Sequence, residues 1–310
     1  MDSLIKPIIS NKAAFGRHET FSLRYGWLPK GFQEFQKDNK IFNSDAATVK
    51  LGVGKNMVNA IRYWLRTTQM LEMTPDRLQT TQLGEALLGD DGWDPYLEDE
   101  ATLWLIHWLI ATNAELSTAW YWFFNGYHKV EFNVDEAANV LVEFVNRHLT
   151  GKHSEKTVRH EINVILKMYC QPKSTAKTEW EDILDIPLAP LGLVSTGMTA
   201  QTFISRPERR ENLPLGIFAF AVNEVFNLRK TASLPIVDLM YGEKTGVGVG
   251  SVFRMTEAGL MTKLEQLVAL YPTRFNINET AGINQLFREE HQGSSLDFLH
   301  NHYVFRDQAA

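Results

Sequence analysis

A chain of 310 residues, 44% hydrophobic and 22% charged, is long enough for one large domain or two and has the composition of a globular protein. Its single cysteine, Cys170, excludes an internal disulfide and a multi-cysteine zinc site, and no apolar run reaches the roughly 20 residues of a membrane span. We therefore expect a cytoplasmic protein without a membrane partner, and the net charge of −6 argues against sequence-blind coating of DNA.

The region after residue 15 has a helix-turn-helix pattern. Helices are predicted over Pro29–Asp38, over Asp45–Leu51 and from about Asn56 onward, with a glycine turn at residues 52–54 before the third helix. Pro29 suits the first turn of a helix, where its missing N–H costs nothing. Two short helices, a turn and a longer third helix are typical of DNA-binding modules.

A predicted hairpin follows the third helix. Its strands are Met70–Met73 and Leu78–Thr81, and Arg77 lies at the tip of the proline-centred turn between them. A helix-turn-helix followed by a hairpin is the pattern of a winged helix. We therefore predict a winged-helix domain that binds double-stranded DNA.

The third helix carries polar and basic side chains on one face. At 100° per residue, Lys55, Asn59, Arg62 and Arg66 lie opposite an apolar arc that includes Trp64. Such a face can contact phosphates and base edges, or it can be the solvated face of an ordinary core helix. The predicted DNA contacts of this unit are Lys55, Asn56, Asn59, Arg62, Tyr63, Arg66 and Arg77.

Two stretches, FGRHETFSLRYGWLPKG (residues 15–31) and LGVGKNMVNAIRYW (residues 51–64), resemble a bacterial family first described as a domain of unknown function. Its members are often encoded beside PAPS-reductase-like sulfur-transfer enzymes. The resemblance covers most of the chain and implies DNA binding, strand nicking for single-stranded DNA phosphorothioation, a role in phage defence, and sulfur-transfer enzymes as partners. Arg17 departs from the small residue expected there, so the turn at residues 16–18 can differ.

Strand nicking would need a base or a metal ion and cations for the phosphate, and the turn around His18 offers these groups. Glu19 is predicted to ligate Mg²⁺ or another divalent cation, or to act as a base, while His18 transfers a proton. Arg24 and Lys30 are predicted to hold the phosphate. The alternative is structural, with Glu19 paired to Arg24 or Lys30 to fix the arm. No second carboxylate lies nearby in the sequence, which leaves the catalytic set incomplete.

The middle of the chain predicts a buried helical core and a second winged-helix-like unit. The acidic residues 98–100 are expected to cap the next helix, and the aromatic stretch Thr102–Phe124 to be buried. When the residue numbers are shifted by 101, the predicted helix Lys156–Cys170 aligns with the third helix of the N-terminal unit. Predicted strands near Leu191–Ser195 and Thr199–Ser205 suggest a second hairpin. The predicted DNA contacts of this unit are Lys156, His160, Asn163 and Lys167.

The predicted fold class is mainly α with short β-hairpins (α+β), with winged-helix-like units around a helical core. The expected segments are an N-terminal arm (1–14), a winged-helix domain (15–95), a helical region with a second such unit (96–212), a C-terminal helical or winged-helix-like unit (213–288) and a polar tail (289–310). The C-terminal unit could also form a homodimer. Two functions stay open: a metal-dependent nicking endonuclease, or a non-catalytic adaptor or regulator that recruits sulfur-transfer enzymes and needs no cofactor.

Overall fold

The computed structural model describes residues 3–171, 185–199, 201–244, 246–280, 282–289 and 293–305. Helices dominate, and the strands form small antiparallel sheets of two or three strands. This arrangement confirms the predicted α+β class. Within these described ranges, no helix is both long and apolar enough to cross a lipid bilayer.

The N-terminal third follows the predicted order of helices and strands. Its elements are α1 (Trp27–Lys37), α2 (Ala47–Leu51), α3 (Lys55–Thr67), β1 (Leu71–Met73), β2 (Leu78–Thr80) and α4 (Gln82–Leu88). Strand β1 pairs antiparallel with β2, with Leu71 opposite Thr80. The hairpin therefore lies where its proline turn predicted it. The Thr81 side chain caps α4 by accepting from the Gly84 N–H.

The middle third surrounds two buried helices. Its elements are α5 (Glu100–Ala111), α6 (Thr118–Asn125), β3 (Glu131–Asn133), α7 (Val134–His148), α8 (Glu155–Tyr169), β4 (Ser195–Thr196) and β5 (Thr202–Ile204). Asp99 caps α5 by accepting from the Ala101 N–H at 2.8 Å, as predicted for the acidic run. Every residue of α6 is buried, which confirms the predicted burial of this aromatic stretch.

The C-terminal third contains five helices and three strands among the residues described. They are α9 (Leu215–Arg229), β6 (Ser233–Pro235), α10 (Ile236–Tyr241), α11 (Val249–Val252), α12 (Glu257–Leu270), β7 (Phe275–Thr280), β8 (Ile283–Arg288) and α13 (Leu296–Phe305). Residues 246–248, in a glycine-rich stretch, lead into α11.

The two three-stranded sheets share one topology. Their strand orders are β3-β5-β4 and β6-β8-β7, so the last strand along the chain lies in the centre of each sheet. In both, helices follow the first strand, and two sequential antiparallel strands follow the helices. A repeated unit would produce this correspondence. The winged-helix assignment of each unit and the domain boundaries stay predictions.

The polar tail expected at residues 289–310 is wrong for its described part. Residues 296–305 form α13, whose Phe298, Leu299 and Tyr303 side chains are at most 4% exposed. The Tyr303 hydroxyl also lies 2.8 Å from the Thr102 hydroxyl. This segment is ordered because it packs on α9 and α5. Local sequence patterns do not predict such packing against distant helices.

One continuous hydrophobic cluster joins all parts of the chain, from Ile5 in the N-terminal arm to Tyr303. The arm is held by backbone hydrogen bonds between Lys6 and residues 112 and 114. Arg254, which precedes α12, donates to the carbonyls of Phe123 and Tyr127 at the end of α6. The sites below are therefore built on a shared core.

Candidate nucleic-acid interface

The turn into α3 places one polar face of this helix at the surface. Gly52 ends α2 with φ of +64°, a left-handed conformation that glycine adopts without a steric penalty. On the inner side of α3, Ile61, Trp64 and Leu65 are at most 1% exposed. The polar side has Lys55, Asn56 and Asn59 exposed and Arg62 and Arg66 half-buried. The predicted separation of the two faces is thus present.

The hairpin brings Arg77 to the same cleft as Arg62. This cleft of about 860 Å³ lies between α3, the β1–β2 turn and the short 3-10 helix at Ile41–Asn43. The Arg62 guanidinium donates to the Asn43 side-chain oxygen at 3.4 Å. Asp38 and Asp76 also line the cleft, so its charge is mixed.

Arg66 lies one turn further along α3, where burial and the nearby Arg62 charge lower its pKa from the ordinary arginine value. Lys30 lies beside the turn before α3, because a Cβ placed on Gly52 would stand 3.4 Å from its Nζ. Lys30 is exposed and therefore lies next to the cationic face of α3. Its predicted role in holding the phosphate stays a prediction.

Tyr63, predicted among the DNA contacts, faces the interior. It is 7% exposed, and its hydroxyl donates to the Leu116 carbonyl at 2.8 Å. Its ring packs against His18 at a centroid distance of 5.9 Å. Tyr63 therefore links α3 to the core and is not available for direct DNA contact in this structure.

His18 is also buried, with 1% of its surface exposed. Its ring is stacked on Trp64 and meets Trp120 edge-on at 5.6 Å. Its Nε2 lies 3.1 Å and 3.2 Å from the two carboxylate oxygens of Glu161 on α8. The proton transfer predicted for His18 stays a prediction, and contact with a DNA strand would require the turn to open.

Glu161 is the nearby carboxylate that the sequence did not reveal. One of its oxygens also accepts from the Gly16 N–H at 2.6 Å, so this side chain holds both ends of the turn. A signal was present in α8: Glu161 occupies an inward position in the apolar series Val158, Ile162 and Ile165. A carboxylate at such a position requires a buried partner.

The next two residues of this turn have uncommon backbone conformations. Glu19 and Thr20 have φ of 53° and 67°, a region that residues with a Cβ seldom occupy. Both are exposed, and the Phe21 N–H donates to the His18 carbonyl at 2.9 Å to close the turn. Strained conformations of this kind cluster at functional sites. Glu19 makes no ion pair with any described residue.

The turn and the polar face of α8 share a cavity of about 430 Å³. Lys156, His160 and Asn163 from α8 line it together with Gly16 and Thr20. Two predicted sites thus adjoin, although they are separated by about 140 residues in sequence. Lys167 is exposed further along α8.

Arg24 is engaged elsewhere. Its guanidinium pairs with Asp185 at 3.2 Å and lies 5.7 Å from the centre of the Trp27 ring. Asp185 also accepts from the Tyr25 N–H at 3.2 Å. The structural alternative of a Glu19–Arg24 pair is therefore not observed, and Arg24 ties the N-terminal unit to residue 185.

In the part of the chain that the structure describes, no group of three or more His, Cys, Asp or Glu side chains is placed to hold a metal ion. The residues around Glu19 therefore do not fit a divalent cation as they stand. Cys170, at the end of α8, is buried, and burial raises the pKa of its thiol to about 12. A buried thiol of this kind is typical of a cysteine that packs in the core.

Comparison with known proteins gives two findings at the level of structure and family. One solved structure, described as an SspB crystal structure, is 29% identical with a TM-score of 0.81 and covers 96% of this chain and 89% of its own. Another, described as a magnesium ion-bound SspB crystal structure, is 28% identical with a TM-score of 0.81, covering 99% and 90%. No curated protein sequence matches significantly.

These structures confirm the likeness that the two N-terminal motifs indicated. A family model described as "Protein of unknown function (DUF4007)" matches residues 15–303, which is most of the chain. The chain therefore belongs to the DUF4007 family.

Proposed function

We propose that this protein binds double-stranded DNA and nicks one strand in support of DNA phosphorothioate modification. The observation that carries the DNA-binding part is the cleft in which Arg62 of α3 and Arg77 of the hairpin stand together. Arginine at such a position can contact a phosphate or the acceptors of a guanine edge. Lys55, Asn56 and Asn59 extend the same surface.

The second polar face extends the proposed DNA surface. Lys156, His160, Asn163 and Lys167 are exposed or half-buried along α8, and the first three face the cavity beside the strained turn. A strand bound along α8 would pass next to Glu19. The buried His18–Glu161 contact holds this turn in position, which makes His18 and Glu161 positioning residues in the proposal.

The likeness to SspB supports the assignment to a phosphorothioation system, with sulfur-transfer enzymes as partners and opening of a strand as the contribution of this chain. In a hydrolytic nick, a water oxygen bonds to phosphorus, one P–O ester bond breaks, and the leaving oxygen takes up a proton. Exposed Glu19 is the proposed base for that water. The described residues do not form a cation site, so no step here runs through a metal.

The test is relaxation of supercoiled plasmid to nicked circles with Mg²⁺, with Mn²⁺ and with EDTA. Glu19→Gln should lower the nicking rate by about 100-fold, the usual effect of losing a general base, and leave DNA binding intact. Glu143→Gln, which changes an exposed carboxylate on α7, is the matched control and should be silent.

Full nicking by a folded Glu19→Gln variant would remove the turn from the active site. Tight DNA binding without any nicking by the unaltered protein would instead indicate the second function, a DNA-binding adaptor that recruits sulfur-transfer enzymes.

A further inference from the structure

A second polar cavity lies in the C-terminal third, away from α3 and α8. It has a volume of about 600 Å³ and lies between the end of α9, the segment before β7, strand β8 and the start of α13. Its polar and charged lining residues include Asn223, Asn227, Lys230, Arg274, Arg288 and Ser295, together with one described carboxylate, Glu289. Three cations from three different elements therefore converge on one cavity.

Arg288 is held at this cavity by neutral groups. Its Nη1 donates to the side-chain oxygens of Asn223 and Asn227 at 2.9 Å and 2.7 Å, and the guanidinium lies 4.9 Å from the centre of the Phe226 ring. Every hydrogen bond that Arg288 makes with the described residues uses Nη1 or its backbone N–H. The Nε and Nη2 groups therefore retain donor capacity toward the cavity.

The positive charge of Arg288 has no paired carboxylate among the residues described. Burial lowers its pKa from the ordinary arginine value, and Glu224 opposes this shift. Removing a charge from water without an ionic partner is costly, so a half-buried arginine with only amide acceptors is a ready site for an anion.

Glu224, a buried carboxylate on α9, lies beside the cavity and accepts from the Asn227 side-chain N–H at 3.3 Å. It accepts from the Ser3 hydroxyl at 2.9 Å, from the Leu4 N–H and from the Ser295 hydroxyl at 2.5 Å. These bonds fasten the N-terminal arm and the start of α13 to α9. Glu224 thus has a structural role, and it does not neutralise the cavity by a direct contact with Arg288.

We propose that this cavity binds the phosphate group of a nucleotide-sized ligand. Arg288 would supply a planar pair of donors, and Lys230 and Arg274, which both have partners of their own, would add positive charge around it. The volume is within the range of sites for small ligands and cofactors. Two sources share this chemistry, a free nucleotide and a terminal phosphate of a DNA strand. The site is separate from the DNA-binding cleft of α3.

The test is calorimetric titration of the full chain with ADP, with pyrophosphate, and with short single-stranded oligonucleotides that carry a 5′-phosphate or a 5′-hydroxyl. Arg288→Gln should weaken binding of the preferred probe by about tenfold or more, as expected for the loss of a charge-assisted pair. Lys230→Gln, an exposed position that is safe for folding, should weaken it severalfold.

Arg229→Gln is the matched control, because it removes an exposed positive charge one residue from Lys230 and outside the cavity. Preference for ADP would identify a nucleotide site, and preference for the 5′-phosphorylated strand would identify a strand-end site. Absence of binding for all probes at millimolar concentration would overturn the proposal, as would undiminished binding by folded Arg288→Gln and Lys230→Gln. Neither of these outcomes depends on DNA binding through α3.

Discussion

At the scale of single residues, the contact of His18 with Glu161 joins two parts of the chain that lie 143 residues apart. Both side chains are at most 2% exposed, and the same carboxylate also accepts from Gly16. Removal of Glu161 leaves the buried His18 ring and the half-buried Gly16 N–H without this acceptor, and a buried donor left without an acceptor costs about 1–3 kcal/mol.

We therefore expect Glu161→Ala to lower the free energy of unfolding by about 3 kcal/mol or more, measured by urea denaturation. Glu143→Ala removes an exposed carboxylate and should change stability by less than about 0.5 kcal/mol. Equal stability of Glu161→Ala and the unaltered protein would contradict the positioning role of this pair.

His107 on α5 is a second buried residue with a measurable consequence. Its Nε2–H donates to the Val252 carbonyl at 2.8 Å, so its Nδ1 accepts from the Tyr169 hydroxyl at 2.8 Å. Burial lowers its pKa from 6.5 to about 3. The folded state therefore binds fewer protons than the unfolded state between these two values, and stability falls as pH falls through this window.

The contribution of His107 to this slope is about 1 kcal/mol per pH unit below pH 6.5. Urea denaturation between pH 7 and pH 5 should give a shallower pH dependence for His107→Gln than for the unaltered protein, even though the variant is less stable throughout. Parallel slopes for the two proteins would show that His107 does not resist protonation.

The sequence predicts the placement of some of these side chains better than that of others. The exposed cations of α3 could be predicted because helical periodicity alone decides their side of the helix. The placement of His18 and Tyr63 could not, since His18 is buried against Trp64 and Trp120, and Tyr63 against His18 and the Leu116 carbonyl. Burial of a polar side chain depends on partners that local sequence does not specify.

At the scale of elements, α3 is the part of the molecule on which DNA binding is proposed to depend. Arg62→Ala should weaken specific binding by about 1–3 kcal/mol if this side chain contacts a base. Lys55→Ala or Arg66→Ala should instead lower affinity evenly across sequences and reduce the salt slope by about one, as expected for a phosphate contact.

Fluorescence anisotropy over a range of salt concentrations measures both quantities. Lys37→Ala is the control, because Lys37 is an exposed lysine on α1 that pairs with Glu34 and lies off the α3 face. Unchanged affinity for all three α3 variants, with folding intact, would show that α3 is not the recognition helix.

The elements also differ in how far sequence predicts them. The β1–β2 hairpin was predictable because Pro75 and its neighbours form a local turn. The pairing of β3 with β5 was not, since Glu131 lies opposite Ile204 and the described residues between them include α7, α8 and β4. Helix α13 was missed because its buried face only becomes apparent against α9.

At the scale of the whole molecule, two buried arginines connect the middle and C-terminal thirds. Arg254 donates to the carbonyls of Phe123 and Tyr127 at 2.8 Å and 2.9 Å and to the Ser205 hydroxyl at 2.9 Å. Arg210 donates from Nε to the carbonyl of Arg254 at 3.2 Å. Burial and the charge of Arg210 lower the pKa of Arg254 to about 10, so it stays protonated at neutral pH.

These contacts cross the boundary predicted near residue 212. A variant that breaks them can therefore show whether the parts on each side unfold together. A lysine cannot reach three acceptors at once, so Arg254→Lys should destabilise the protein by about 2–4 kcal/mol. Because the core is continuous, the unfolding curve of the variant should remain a single transition, with the same midpoint by tryptophan fluorescence and by circular dichroism.

The two probes report on different parts of the chain. Tryptophan fluorescence reports on the part before residue 212, which contains Trp104, Trp108, Trp120 and Trp122, whereas circular dichroism reports helices on both sides. If the C-terminal third were independent, circular dichroism would resolve two transitions in the variant, while tryptophan fluorescence would follow only the transition of the part before residue 212.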